Sequence, residues 1–160
     1  MSTATPTSAN AALAKLTSLS QALANASDQL SQHIIEMESA LEDLNFGLWA
    51  WVKDDPLQID EVSGVDKDGK HSTIHLIQQL GYGKHNGKWA FLVASGSEES
   101  WDTDAKIALL RNAPRDIKLR AMDRIPQLLD SLIEEVTRMM EETQQKSQEA
   151  KGIATGLRKR

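Results

Sequence analysis

The chain reads as an α+β fold in which long N- and C-terminal helices pair antiparallel and flank a small antiparallel sheet of three to four strands. Three observations predict it. Leu16, Leu23, Leu30, Met37 and Leu44 recur every seven residues, with Leu13, Ile34 and Leu41 on the alternating position. Ile125, Leu132 and Met139 repeat that spacing near the other end, beside Met122, Leu129 and Val136. Between these seams, a tryptophan-bearing stretch changes to period two and contains the pair Asn86-Gly87. Apolar side chains at 3–4 spacing gather on one side of a helix, whereas alternation places them on one face of a strand.

Residues 1–10 are small and polar with one proline, and are expected to form a flexible leader. A single α+β domain is expected over 11–150, made of a helix over 11–44, a β region over 46–96 and a helical region over 104–150. The first helix runs without Gly or Pro, with Ser20 and Ser27 at seam positions where leucine would be expected. Asn45 and Gly47 tolerate the left-handed backbone that ends a helix. Phe46 to Val52 then alternates as a strand, with Trp49 and Trp51 on one face, until Asp54-Asp55-Pro56 breaks it. A second strand is expected from Leu57 to Val65, turning at Lys67-Asp68-Gly69.

The hairpin that follows has the firmest local signal. Thr73 to Lys84 and Lys88 to Ser95 flank Asn86-Gly87, the pair a two-residue type I′ turn favours because both central residues need positive φ. That turn sets Lys84 opposite Trp89, Tyr82 opposite Phe91 and Leu80 opposite Val93. Gly81 and Gly83 fall on the other face, which implies that a ring or another backbone packs closely there. Ser97 to Asp104 is an acidic loop, after which helical periodicity resumes near Ala105. Pro114 opens a new helix, and Pro126 should kink or restart it. Residues 151–160 form a basic tail.

Charge placement suggests the antiparallel pairing. Glu36, Glu38, Glu42 and Asp43 crowd the end of the first helix, and Lys106, Arg111, Arg115, Lys118, Arg120 and Arg124 crowd the start of the second region. Antiparallel helices would place these groups side by side.

Function is constrained mostly by exclusion. The chain of 160 residues carries a net charge of −5, which argues against a whole-molecule nucleic-acid binder. It has no cysteine, so disulfides, thiolate catalysis and cysteine-based zinc sites are absent, in keeping with a reducing cytoplasm. No secretory signal is recognisable, and apolar runs such as Ala90–Ala94 are strand-sized, so no membrane partner is expected. His71 and His75 on a strand would lie ~13 Å apart, too far for one zinc ion. Asp66, Asp68 and Gly69 lack the remaining ligands of a calcium loop. Gly81 and Gly83 are followed by no helix that could complete a dinucleotide fingerprint. No catalytic residue, metal ligand or cofactor is assigned.

The expected role is therefore a small cytoplasmic interaction or scaffold protein. Another protein or a second copy would be met through the helical seam and an aromatic-rich sheet face. The candidate binding residues are Trp49, Trp51, Tyr82, Trp89, Arg111 and Arg115. The alternative is a ligand-binding module or enzyme with a pocket between the sheet and the second helix. Trp49, Tyr82, Trp89 and His75 would line that pocket, and Arg111 or Arg115 would receive an anion. A third reading places nucleic acid on residues 106–124.

Overall fold

The computed structural model describes residues 6–65 and 67–159. Helix α1 runs Pro6–Leu44, followed by strands β1 (Ala50–Trp51), β2 (Gln58–Val65), β3 (His71–His85) and β4 (Lys88–Ser97). A 3-10 turn, Glu98–Ser100, leads into the one-turn helix α2 (Trp101–Asp104), strand β5 (Lys106–Leu109) and a second 3-10 turn, Leu110–Asn112. Helix α3, Arg115–Arg158, completes the chain. The molecule is α+β, with long terminal helices flanking a five-stranded antiparallel sheet.

Local sequence accounts for most boundaries. α1 is helical from Pro6, the first described residue. The expected leader thus divides: residues 6–10 are already helical, and residues 1–5 lie outside the described residues, as does Asp66. Asn45 and Gly47 both adopt positive φ, and the Asn45 N–H closes onto the Glu42 carbonyl at 3.0 Å, ending the helix. Asn86 and Gly87 have φ of 50° and 84°, as a type I′ turn requires. The hairpin register is as the turn dictates, with Tyr82 opposite Phe91 and Leu80 opposite Val93.

β3 is the spine of the sheet. β4 pairs along one flank; β2 and then β1 share the other, β2 against His71–Gln78 and β1 against Gly81–Tyr82. The Asp54-Asp55-Pro56 break is an excursion between two strands on the same flank. The Val52 N–H bonds the Leu80 carbonyl on one side of it, and the Leu57 N–H bonds the Gln78 carbonyl on the other.

Three expectations need correction. Lys106–Leu109, expected to be helical, is the fifth strand, pairing with Leu92–Ser95 of β4. The C-terminal helix begins at Arg115 and continues through Pro126 to Arg158, taking in most of the expected basic tail. Third, the helices run parallel where they touch. Ser27 meets Arg115, Ser31 meets Lys118, and Leu41 and Leu44 share a groove with Leu129, Ile133 and Val136, so contacts ascend together along both helices.

The antiparallel inference rests on charge. Glu38 does meet Arg111 at 2.6 Å, but Arg111 lies in the 3-10 turn ahead of α3, and two of the cations on α3 itself find partners in the 55–58 segment. Arg124 pairs with Asp55 at 2.7 Å, and Arg120 bonds the Leu57 carbonyl. An exposed ion pair contributes ~0–1 kcal/mol, whereas burying one Leu or Ile contributes ~1.5–3 kcal/mol. The apolar faces therefore set the orientation. Ile34 from α1 and Ile117, Ala121, Ile125, Leu128 and Leu132 from α3 close over Leu80, Tyr82, Phe91 and Val93 on one face of the sheet. α1 lies chiefly against β4 and the Leu110–Asn112 turn, and α3 against β1 and β3.

Candidate functional site

Among the described residues, no long helix crosses the opposite face of β3 and β4, and α3 borders it only at β1. Its strand positions are Gly81 and Gly83 on β3 and Ala90, Leu92, Ala94 and Gly96 on β4. Small residues leave this surface low, and indole rings lie on it. A Cβ added at Gly81 would overlap the six-membered ring of Trp51, and one at Gly83 would overlap that of Trp49. A Cβ at Gly96 would sit 3.4 Å from the Trp101 ring and 3.2 Å from the Ala105 backbone. Ala90, Leu92 and Ala94 are buried on this face. The glycines thus do what their spacing implied: they seat aromatic rings.

Two depressions meet on this layer. One, of about 540 Å³, lies between Trp51 and Trp101 over Ala94, with Lys53, Gln79 and Asp102 also lining it. A smaller one of about 260 Å³ lies between β1 and α3, bounded by Trp49, Trp51, Ser131 and Glu134. Trp51 and Lys53 belong to both.

The predicted binding residues do not form one site. Trp49 is 45% exposed and meets Trp89 edge-on, with centroids 6.2 Å apart. Trp89 stacks on Tyr82 at 5.6 Å, and Tyr82 contacts Phe46 and Phe91, both at 5.8 Å. Tyr82 is therefore a core residue rather than a pocket wall, linked by rings to the surface. Its hydroxyl is pushed up to about 12, first by burial and then by the carboxylates of Glu42 and Glu38.

Arg111 is engaged within the fold. Its guanidinium meets Glu38 at 2.6 Å, and the other Glu38 oxygen accepts the Phe91 N–H at 3.0 Å. Phe91 lies just beyond the last β4–β5 pair, so the carboxylate takes up an amide the ladder leaves open. Burial raises the Glu38 pKa, against the lowering effect of the Phe91 amide and Arg111. The heptad pattern gave no sign of this role, because a buried acid and a solvated one look alike in sequence. Arg115 is exposed and donates to Ser27 Oγ at 3.3 Å. His75 lies in the β2–β3 ribbon opposite Glu61, away from these rings.

The second unusual surface is helical. The seam that packs as Leu30, Ile34, Met37 and Leu41 continues toward the N-terminus as Leu13, Leu16 and Leu23, which are 63%, 62% and 48% exposed. On α3, every described residue from Thr137 onward is exposed, including Met140, Ile153 and Leu157. Because the helices are parallel, these two arms leave the body from opposite ends. Among the described residues, no helix is long and apolar enough to cross a membrane. Comparison with protein-family models, with curated proteins and with solved structures finds no match.

Proposed function

We propose that this protein is a self-associating scaffold in which the α1 arm of one copy lies along the α3 arm of the next. One observation carries the reading: the seven-residue seam of α1, interrupted only by Ser20 and Ser27, runs from Leu13 to Leu44, but only its second half is covered. The covered half packs on β4 and the Leu110–Asn112 turn and, at Leu41 and Leu44, borders α3 running in the same direction, so the uncovered half offers the same apolar face to a second parallel helix. The α3 arm of a second copy supplies one.

Two features support a second copy as occupant. Residues 6–26 hold a single charged side chain, Lys15, so like chains do not repel there and no charge pattern selects a foreign partner. The same scarcity of Lys and Arg disfavours an anionic membrane surface, which attracts basic amphipathic helices. In addition, an apolar groove of about 380 Å³ lies where α1 stops and α3 continues, lined by Leu41, Leu44, Phe46, Leu129, Ile133 and Val136. An incoming α1 arm would enter there. A cysteine-free chain suits a reducing compartment, and the cytoplasm is the setting we propose.

Light scattering on chromatographed protein tests the reading. The expected mass rises above the 17.7 kDa of one chain as concentration increases through the micromolar range. Replacing Leu16 and Leu23 by Glu should return it to one chain without altering tryptophan emission. A mass that stays at one chain at several hundred micromolar rules the proposal out.

A further inference from the structure

The trough between Trp51 and Trp101 is independent of the helical arms. Its volume of about 540 Å³ falls within the ~300–1,000 Å³ of small-molecule sites. Both rings are held from below, Trp51 against Gly81 and Trp101 against Gly96, so neither must be ordered when a ligand arrives. The floor between them is Ala94, and Trp49 over Gly83 continues the row of indoles beyond Trp51. The depression on that side, bounded by Trp49 and Trp51, prolongs the trough.

The polar groups narrow the ligand class. Lys53 brings one cation and Asp102 one anion, with Gln79 supplying an amide. Neither charged group forms an ion pair among the described residues, and both are exposed. Exposed charges bind counter-charges weakly in water, so a ligand held chiefly by charge gains little here. The strongest available contact is the face of an indole against a flat apolar surface, and the exposed polar groups can exchange hydrogen bonds with hydroxyls. A pyranose ring offers both: C–H groups on one face and hydroxyls around the rim. A row of platforms fits several such rings joined in a chain.

We propose that the Trp51–Trp101 trough, continued past Trp49, binds a neutral oligosaccharide, with successive pyranose rings stacked on the indoles and hydroxyls bonded to Lys53, Gln79 and Asp102. The test titrates the full chain with maltotriose, cellotriose and chitotriose, reading tryptophan fluorescence and calorimetric heat. At least one trisaccharide should shift the emission and bind. Trp101→Ala should weaken that binding about tenfold, as expected for loss of one ring contact. Should Trp101→Ala fail to fold by circular dichroism, the surface variant Lys53→Ala with Asp102→Ala should lower affinity severalfold with the spectrum unchanged. The Leu16→Glu, Leu23→Glu variant should bind like the unaltered chain, which separates this site from self-association. The proposal is overturned if none of the three binds at millimolar concentration or if affinity survives in the folded trough variants.

Discussion

Tyr82 shows how closely the two faces of the sheet are tied. Its ring contacts Phe46, Phe91 and Trp89, and Trp89 in turn touches the half-exposed Trp49. Burial disfavours the phenolate, and Glu42 and Glu38 oppose it further, raising the pKa from 10 to about 12. A raised folded-state pKa means that the stability tied to this proton is fully present below pH 10 and is lost as pH rises from 10 towards 12. Since Tyr82 is the only tyrosine, the growth of tyrosinate absorbance reports it alone. The expected titration of the native protein has its midpoint near 12 and moves to about 10 in denaturant. A native midpoint near 10 would show that the ring is solvated. The sequence puts Tyr82 opposite Phe91, as the structure does, yet it also makes Tyr82 a binding candidate, because register fixes a strand neighbour and leaves open which face the helices cover. Arg111 looks like an anion receptor in sequence for a similar reason: its partner Glu38 lies 73 positions earlier in the chain, beyond the reach of any local pattern.

Among the elements, the hairpin and both terminal helices were legible because their signals are local. Asn86-Gly87 specifies a turn, and seven-residue spacing specifies a helical face. β5 was missed because Lys106–Leu109 is four residues long and its pairing with β4 is purely tertiary. The glycines of β3 were legible in kind, since two glycines on one face implied a close neighbour, yet the neighbours' identity required the β1–β3 register. That register places Trp51 opposite Gly81. A side chain at Gly81 must displace the indole, and overpacking of this type costs ~1–3 kcal/mol. Gly81→Val should therefore lower unfolding free energy by about that amount in urea and red-shift tryptophan emission. Gly64→Val is the matched control: it is also a strand glycine, with nothing within 4 Å of the added Cβ. Equal stability of the two variants would remove the support for a glycine-seated aromatic layer.

For the whole molecule, the parallel sense of the helices decides what kind of assembly is possible. Two arms leaving opposite ends, one seeking an α3-like neighbour and the other an α1-like neighbour, make a head-to-tail contact. Such contacts use different surfaces on the two copies and propagate as rings or filaments, whereas like arms pairing with like would stop at a dimer. Each arm spans roughly 30 Å at ~1.5 Å per residue, or about five and a half helical turns. Mixing variants separates the two modes. One variant carries Leu16→Glu and Leu23→Glu on the α1 arm; the other carries Met139→Glu, Ile153→Glu and Leu157→Glu on the α3 arm. Head-to-tail assembly predicts that each variant alone remains a single chain. Mixed in equal amounts, they should form a complex of two chains and no larger, because the intact α3 arm of the first accepts the intact α1 arm of the second and both remaining arms are disabled. Pairing of α1 arms with one another instead predicts that the α3-arm variant dimerises alone and that mixing adds nothing. Sedimentation velocity on the two variants and their mixture reads out which arm meets which.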